Sequence, residues 1–241
     1  MGELDRNTPG HAELQLGKEH ISNYVGKFAI DWASSSWKSR GYLPHYDSLE
    51  TVQSVTFRLV DSLPKKVLGR LLEKINSLPP EEQEIQKRVN IEKYLDVGYG
   101  CCALKNPEMA KVMQETLLKF HNYKYDLIAW CIMPNHVHVL IEAKSSLSKI
   151  VQSWKSYTGR WAFQNNERLN LGLQNFNKSE LGLGVPRTFW MRDYWDRFIR
   201  DEKHFHKTVE YIHQNPVKAG LCKDSKDWLW SSAGILNTTD L

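Results

Sequence analysis

Near the middle of the chain stands the stretch Met133-Pro-Asn-His-Val-His-Val-Leu-Ile141. Side chains alternate between the two faces of a β-strand, so His136 and His138 point to one face. Val137 and Val139 occupy the other face and are expected to enter a core. Two imidazoles held side by side on a strand can bind one divalent metal ion. The alternative is that each histidine only hydrogen-bonds its neighbours, and the pair alone does not decide between the two.

The segments around this strand predict a sheet combined with helices. Residues 125–132 form a second strand, and the tight turn Met133-Pro-Asn135 joins the two strands into a β-hairpin. Upstream, residues 53–59 alternate polar and apolar side chains, which is typical of a half-buried strand. Helices are expected over residues 65–78, 81–96 and 107–122 and from Leu147 onward, and a last strand is expected over residues 194–199. This order of elements predicts an α+β domain with an antiparallel sheet.

A second candidate site is Tyr211-Ile-His-Gln-Asn215. The pattern predicts an amphipathic helix from Asp201, its N-cap, to Gln214, where Pro216 begins to end it. Tyr211 and Asn215 are four residues apart and share one helix face. A hydroxyl nucleophile and an amide-oxygen metal ligand can therefore approach the same point. Taken alone, Tyr211 is better explained as a packing residue.

Four passages carry a resemblance to a known family. They are Trp130-Cys-Ile-Met-Pro-Asn-His-Val-His-Val-Leu140, Phe189-Trp-Met-Arg-Asp-Tyr-Trp-Asp-Arg-Phe-Ile-Arg-Asp201, Val209-Glu-Tyr-Ile-His-Gln-Asn-Pro-Val-Lys-Ala-Gly-Leu221 and Asp227-Trp-Leu-Trp-Ser-Ser232. In this order they resemble the REP-associated tyrosine transposases of the HUH (His-hydrophobic-His) single-tyrosine transposase superfamily. The resemblance covers residues 37–233. It predicts one transposase-like domain there, preceded by an N-terminal extension over residues 1–36 and followed by a tail over residues 234–241.

The resemblance also implies a fold, a site and a reaction. The implied fold is a ferredoxin-like (RRM-like) antiparallel sheet with helices on one face. The implied activity is that of a metal-dependent endonuclease and strand transferase acting on single-stranded, REP-type hairpin DNA through a 5′-phosphotyrosine intermediate. In this motif context we expect Tyr211 to be the nucleophile, and His136, His138 and Asn215 to be the metal ligands.

The chemistry explains why these residue types are needed. A phosphodiester repels anionic nucleophiles, so a metal ion has to neutralise charge on the scissile phosphate. Two imidazoles and an amide oxygen, with no cysteine in ligand spacing, suit Mg²⁺ or Mn²⁺ better than structural zinc. Tyrosine attacks as a covalent nucleophile and conserves the phosphodiester bond energy. Its ordinary pKa of about 10 requires activation by the metal or by a base that the sequence does not identify.

The positive charge of the chain is unevenly distributed. The net charge is only +4, but residues 143–166 contain no acidic side chain. A basic helix with aromatic residues directly after the histidine strand suits a phosphate backbone and stacked bases. The candidate DNA-binding residues are Lys149, Lys155, Arg160, Arg192, Arg197 and Arg200. The alternatives are an ordinary solvated helix face and, for the last three arginines, pairing with Asp193 and Asp196.

The cysteines and the apolar runs of the chain indicate its cellular compartment. The four cysteines show neither a disulfide framework nor metal-ligand spacing, and no apolar run of 18 residues exists. We therefore expect a cytoplasmic protein without a membrane partner. The sequence leaves open whether it is a monomer or a homodimer. Two other functions remain: a non-cleaving nucleic-acid-binding regulator with the same fold, and a His-x-His metal phosphohydrolase without a protein-linked intermediate.

Overall fold

The computed structural model describes residues 37–39, 44–46, 49, 51–63, 65–173 and 188–234. The strands are β1 (Trp37–Ser39), β2 (Pro44–Tyr46), β3 (Thr51–Arg58), β4 (Tyr125–Ile132), β5 (His136–Ala143) and β6 (Trp195–Phe198). The helices are α1 (Lys65–Asn76), α2 (Pro80–Asp96), α3 (Pro107–Leu118), α4 (Leu147–Leu169) and α5 (Glu202–Lys218). The extension predicted over residues 1–36 lies outside the described residues, and the division into extension, domain and tail stays a prediction.

Four strands form one antiparallel sheet in the order β4-β5-β3-β6. With helical connections from β3 to β4 and from β5 to β6, this is the βαββαβ arrangement of ferredoxin-like folds. The predicted hairpin is confirmed, because the Met133 N–H donates to the His136 carbonyl at 2.9 Å and closes the turn between β4 and β5. The strands β1 and β2 pair separately. The predicted α+β, ferredoxin-like class is confirmed.

One face of the sheet carries the larger core. Apolar side chains alternate with polar ones along β3 and β5, and the apolar set packs against α3 and α4. The principal members are Val55, Phe57, Leu59, Val137, Val139 and Ile141 from the strands, and Met109, Met113, Leu117, Ile150 and Trp154 from the helices. Because side chains alternate with period two, this burial decides that the histidines of β5 occupy the opposite face.

The last helix, α5, packs against that opposite face. The contact unites Phe205, Val209 and Ile212 of α5 with Val52, Ile128, Leu140 and Ile199. The expectation that the helices lie on one face is therefore wrong for α5, and helices cover both faces of the sheet. The physical reason is that the histidine face also carries apolar side chains, which are stable only when another element excludes water from them.

A helical hairpin of α1 and α2 borders the same face as α5. Its own small core consists of Leu63, Leu71, Ile75, Ile91 and Leu95. Trp195, the first residue of β6, packs against this core and pairs in register with Thr56 of β3. None of the helices in the described part of the chain combines the length and apolar character needed to cross a membrane.

The segment after α5 covers the free edge of the sheet. The Ile132 N–H donates to the Trp230 carbonyl at 2.9 Å, and the Trp228 indole nitrogen donates to the Ile132 carbonyl at 3.0 Å. The Trp130 N–H donates to Ser232 Oγ at 3.0 Å. These bonds satisfy backbone groups of β4 that an edge strand otherwise leaves open to other chains.

Helix α5 begins as predicted and ends later than predicted. Asp201 is its N-cap, and Asp201 Oδ1 accepts from the His204 N–H at 2.7 Å. The predicted end just before Pro216 is wrong, because the helix continues through the proline to Lys218. A proline in the last turn removes only one backbone donor, and the Leu221 N–H still donates to the Pro216 carbonyl at 2.8 Å.

Replacing Asp201 by alanine should lower the free energy of unfolding by about 1 kcal/mol, because the first turn of α5 loses its side-chain acceptor. Urea denaturation followed by circular dichroism measures the change. Lys203→Ala, an exposed substitution in the same turn, is the control and should change stability by less than about 0.5 kcal/mol. Equal stability of the Asp201→Ala variant and the unmodified protein would contradict the capping role.

Candidate metal and nucleophile site

Two imidazoles meet at the start of β5. His136 and His138 point to one face of the strand, as predicted, and both are buried. Their Nε2 atoms are 3.0 Å apart, and their ring planes are nearly perpendicular at 89°. The two Nε2 atoms therefore converge on one point beside the sheet.

Each imidazole is held through its other ring nitrogen. His136 Nδ1 lies 2.7 Å from Asn135 Oδ1, while Asn135 Nδ2 donates to the Tyr99 carbonyl at 3.0 Å. Because the amide oxygen only accepts, His136 Nδ1 carries the hydrogen and Nε2 presents a lone pair. His138 Nδ1 lies 2.9 Å from Oγ1 of Thr56, its partner on β3. Outer hydrogen bonds of this kind orient histidines that bind metals.

The surroundings favour the neutral form of His136. Burial lowers the pKa of His136 well below its ordinary value of 6.5, and the positive charges of His138 and Arg58 lower it further. Neutral imidazole is the form that binds a metal ion through its free nitrogen. The environment of His136 thus keeps a metal-binding lone pair available at neutral pH.

This pair of donors fits a divalent cation. Adjacent ligands of an octahedral ion, each about 2.1 Å from it, lie about 3 Å apart, which matches the separation of the two Nε2 atoms. In the part of the chain that the structure describes, no group of three or more His, Cys, Asp or Glu side chains could hold a metal. A further protein ligand from these residues would be a neutral oxygen, such as the amide oxygen of Asn215.

Helix α5 brings Tyr211 to the histidine pair. The rings of Tyr211 and His138 meet edge to face, with centroids 5.5 Å apart. Lys218 places its ammonium nitrogen 4.9 Å from the centroid of the Tyr211 ring. One turn after the tyrosine, Asn215 is buried and donates from Nδ2 to the Tyr211 carbonyl at 2.7 Å. The structure thus joins Tyr211 to His138, and the roles of nucleophile and metal ligands stay predictions.

Three residues of the site were not predicted from the sequence: Thr56, Arg58 and Asn135. Thr56 and Arg58 lie directly opposite His138 and His136 in the pairing of β3 with β5. The available signal was their alternation with apolar residues, which places them on the polar face of a strand. The alternation does not say which strand pairs with β5 or in what register, so their neighbours could not be identified.

The six predicted DNA-binding residues do not form one surface. Lys149 and Arg160 are exposed on α4, which covers the face away from the histidines. Arg197 pairs in register with Ser54 and so lies on the histidine face. Arg192 and Arg200 are exposed in the segments flanking β6.

Lys155, another member of this set, makes two contacts with the segment before β6. Its ammonium group donates to the Arg192 carbonyl at 2.7 Å and lies 5.8 Å from the centroid of the Tyr194 ring. Burial lowers the pKa of Lys155 to about 8, although the carboxylate of Asp193 acts in the opposite direction. Lys155 therefore connects α4 to the segment before β6. DNA binding by the six residues stays a prediction.

His213 connects α5 to the segment that covers β4. It is buried, and its Nε2 lies 2.9 Å from Ser232 Oγ. Burial lowers the pKa of His213 to about 4. The Ser232 hydroxyl also accepts from the Trp130 N–H, so one hydroxyl joins helix, strand and C-terminal segment. This junction restrains α5 two residues from Tyr211.

The comparisons with known proteins show what this chain, with its ferredoxin-like sheet, histidine pair and helical tyrosine, is similar to. Residues 103–215 match the family model described as Transposase IS200 like. Individual relatives carry more specific names than the family model. A Haemophilus influenzae protein named "Putative REP-associated tyrosine transposase" is 31% identical over 119 residues, which are 46% of this chain and 60% of that protein.

Two further proteins match the chain. The REP-associated tyrosine transposase of Escherichia coli is 24% identical over 108 residues, 45% of this chain and 54% of that protein. The match to the solved structure of a REP-associated tyrosine transposase bound to a REP hairpin covers 82% of this chain and 84% of the chain in that structure. The sequence identity is 16% and the TM-score is 0.47. The resemblance to the REP-associated tyrosine transposases is confirmed, and the chain spans between half and two thirds of the length of these two curated relatives.

Acid should destabilise the protein through His213. Its pKa is about 4 in the folded chain and about 6.5 in the unfolded chain, so the unfolded chain binds more protons between these values. The free energy of unfolding should therefore fall as the pH drops below about 6.5, with a contribution of about 2 kcal/mol from His213 at pH 5.

The measurement compares urea denaturation of the wild type and of His213→Gln between pH 7 and pH 5. The comparison is needed because Asp96 has the opposite effect: burial first, and then the charge of Glu92, raise its pKa to about 6. The variant should lose less stability than the wild type over this range. The same pH dependence in both proteins would show that His213 does not contribute.

Proposed function

We propose that this chain is a metal-dependent single-stranded DNA endonuclease and strand transferase that acts on REP-type hairpin DNA. The observation that carries the proposal is the meeting of two imidazole nitrogens, 3.0 Å apart, with the ring of a helical tyrosine. His136, His138 and Asn215 would hold Mg²⁺ or Mn²⁺. Tyr211 would attack the scissile phosphate.

The reaction is a transesterification at one phosphorus atom. The Tyr211 oxygen forms a bond to phosphorus while the bond to the 3′-oxygen breaks, and the proton lost by the tyrosine is balanced by the proton gained at the 3′-hydroxyl. The products are a 5′-phosphotyrosine on one DNA fragment and a free 3′-hydroxyl on the other. When bound, the metal ion would act as a Lewis acid that neutralises negative charge on the phosphate.

The chain's own residues would prepare this step in three ways. The edge-to-face contact with His138 and the cation–π contact with Lys218 restrain the Tyr211 ring. Asn135 and Thr56 fix the orientation of the imidazoles. Burial of the pair excludes water, so electrostatic interactions with the phosphate are stronger there than at an exposed surface.

The hairpin substrate is supported by the names of the relatives. The Haemophilus influenzae and Escherichia coli proteins are described as REP-associated tyrosine transposases. The match to the family model, over residues 103–215, includes the segment that carries the histidines. A hairpin flanked by single-stranded DNA would present an unpaired phosphodiester to the site. Double-stranded DNA would first have to open.

Replacing Tyr211 by phenylalanine should abolish the covalent DNA adduct, because the ring and its packing remain but the attacking oxygen is lost. The assay incubates the protein with 5′- and 3′-labelled hairpin oligonucleotides and Mn²⁺ and separates the products on denaturing gels. Tyr157→Phe is the control, because Tyr157 is 48% exposed on α4 and should not be needed. Formation of the adduct by Tyr211→Phe would show that Tyr211 is not the nucleophile.

DNA binding by the wild type that survives EDTA, without formation of any adduct, would instead favour a non-cleaving regulator.

Replacing His138 by alanine should weaken Mn²⁺ binding by at least about tenfold, because one of two imidazole ligands is removed. Titration of free Mn²⁺ by electron paramagnetic resonance measures this change without DNA. His206→Ala removes an imidazole from the solvent side of α5 and should leave the affinity unchanged. Unaltered Mn²⁺ affinity in His138→Ala would show that the pair is not the metal site.

A further inference from the structure

Arg58 is a buried cation beside the histidine pair. It is the last residue of β3, its partner in register on β5 is His136, and only 6% of its surface is exposed. Strand alternation puts its side chain on the face that carries Thr56 and both histidines. The proposed reaction, as described above, does not use Arg58.

The known contacts of Arg58 leave most of its hydrogen-bonding capacity unused. One guanidinium nitrogen donates to Ser62 Oγ at 3.0 Å, and the guanidinium carbon lies 5.9 Å from the centroid of the Trp195 ring. Within the described part of the chain, no carboxylate forms an ion pair with it inside 4.0 Å, although Asp193 is close enough to act electrostatically. A guanidinium has five N–H donors in a planar fork.

Stability alone does not account for this placement. Removing a guanidinium from water is costly, and buried arginines are normally compensated by a close carboxylate. Here the residue opposite Arg58 on β5 is the imidazole of His136, and Asp193 acts on the guanidinium only from beyond ion-pair distance. An apolar side chain of similar length would pack against Trp195 without this cost. The arrangement is therefore suited to an anion that comes from outside the chain.

We propose that Arg58 binds the scissile phosphate, donating hydrogen bonds from its guanidinium to two phosphate oxygens beside the histidine pair. The assignment rests on the proposed function, and it names a phosphate-contacting residue on β3 in addition to the residues of β5 and α5. The Trp195 ring and Ser62 hold the guanidinium in place. The fork then complements two phosphate oxygens, which a lysine ammonium cannot do.

The position also explains what the arginine contributes to the reaction. Negative charge on the phosphate oxygens has to be balanced as the tyrosine oxygen approaches. A metal ion held by the histidines and a guanidinium on the adjacent strand would supply positive charge from two directions. The strand pairing holds the backbone of Arg58 directly opposite that of His136.

The first test measures DNA binding in EDTA, where no cleavage occurs. Equilibrium binding of a single-stranded oligonucleotide is recorded over a range of salt concentrations for the wild type and for Arg58→Met. Loss of one phosphate contact should reduce the slope of log K against log salt by about 0.7. Arg168→Met is the control, because this surface arginine is already paired with Glu108 at 2.9 Å and should keep the wild-type slope.

The second test measures the rate of adduct formation with Mn²⁺. Arg58→Met should form the adduct at least about 100-fold more slowly, as expected when a donor to the reacting phosphate is removed. Its melting temperature should equal or exceed that of the wild type, because an apolar side chain replaces a buried charge. Arg58→Lys keeps the charge but not the fork, and should still be at least about tenfold slower.

The outcomes separate the two proposals. An unchanged salt slope together with an unchanged adduct rate in Arg58→Met would overturn the role of Arg58 and leave the proposed function intact. If the wild type forms no adduct, the proposed function fails, and the salt slope in EDTA still decides whether Arg58 contacts phosphate. If Arg58→Met does not fold, a wild-type adduct rate in Arg58→Lys overturns the proposal, and a reduced rate in that folded variant supports it.

Discussion

The antiparallel register between β3 and β5 is the constraint on which the site depends. It sets Thr56 opposite His138 and Arg58 opposite His136, so one pair of strands supplies both imidazoles, a hydrogen-bond partner and a buried cation. The register itself is held by the apolar side chains of the other face, packed between the sheet and the helices α3 and α4. A slip of one residue would turn the polar set into the larger apolar core and remove the core side chains from it, which is energetically costly.

Burial of both faces of the sheet explains how a helix comes to face the histidines. The apolar stripe of α5 packs against the sheet on the histidine side, and this packing determines where Tyr211 lies. His213 and Ser232 then join the helix to the segment that covers β4. The position of α5 is therefore decided by non-directional hydrophobic contact and refined by a few buried hydrogen bonds.

The electrostatics of the site differ from those of a structural ion-pair network. The buried imidazole of His136 is kept neutral, a guanidinium is buried without a close carboxylate in the described residues, and the ring of Tyr211 lies under a lysine ammonium. Such an arrangement lowers the stability of the empty fold and favours ligands that bring opposite charge. A local loss of folding stability of this kind is frequent at sites where binding or catalysis requires it.

The sequence by itself determined the order of strands and helices, the alternation that puts His136 and His138 on one face, and the N-cap of α5, because these depend on local periodicity and short-range hydrogen bonds. It also carried the motifs behind the family resemblance. Only the tertiary structure decided that α5 covers the histidine face, that its helix continues through Pro216, and that Thr56 and Arg58 lie beside the histidines. Those features depend on which strands pair and on how apolar surfaces are buried between segments distant in sequence, and local patterns carry no information on either.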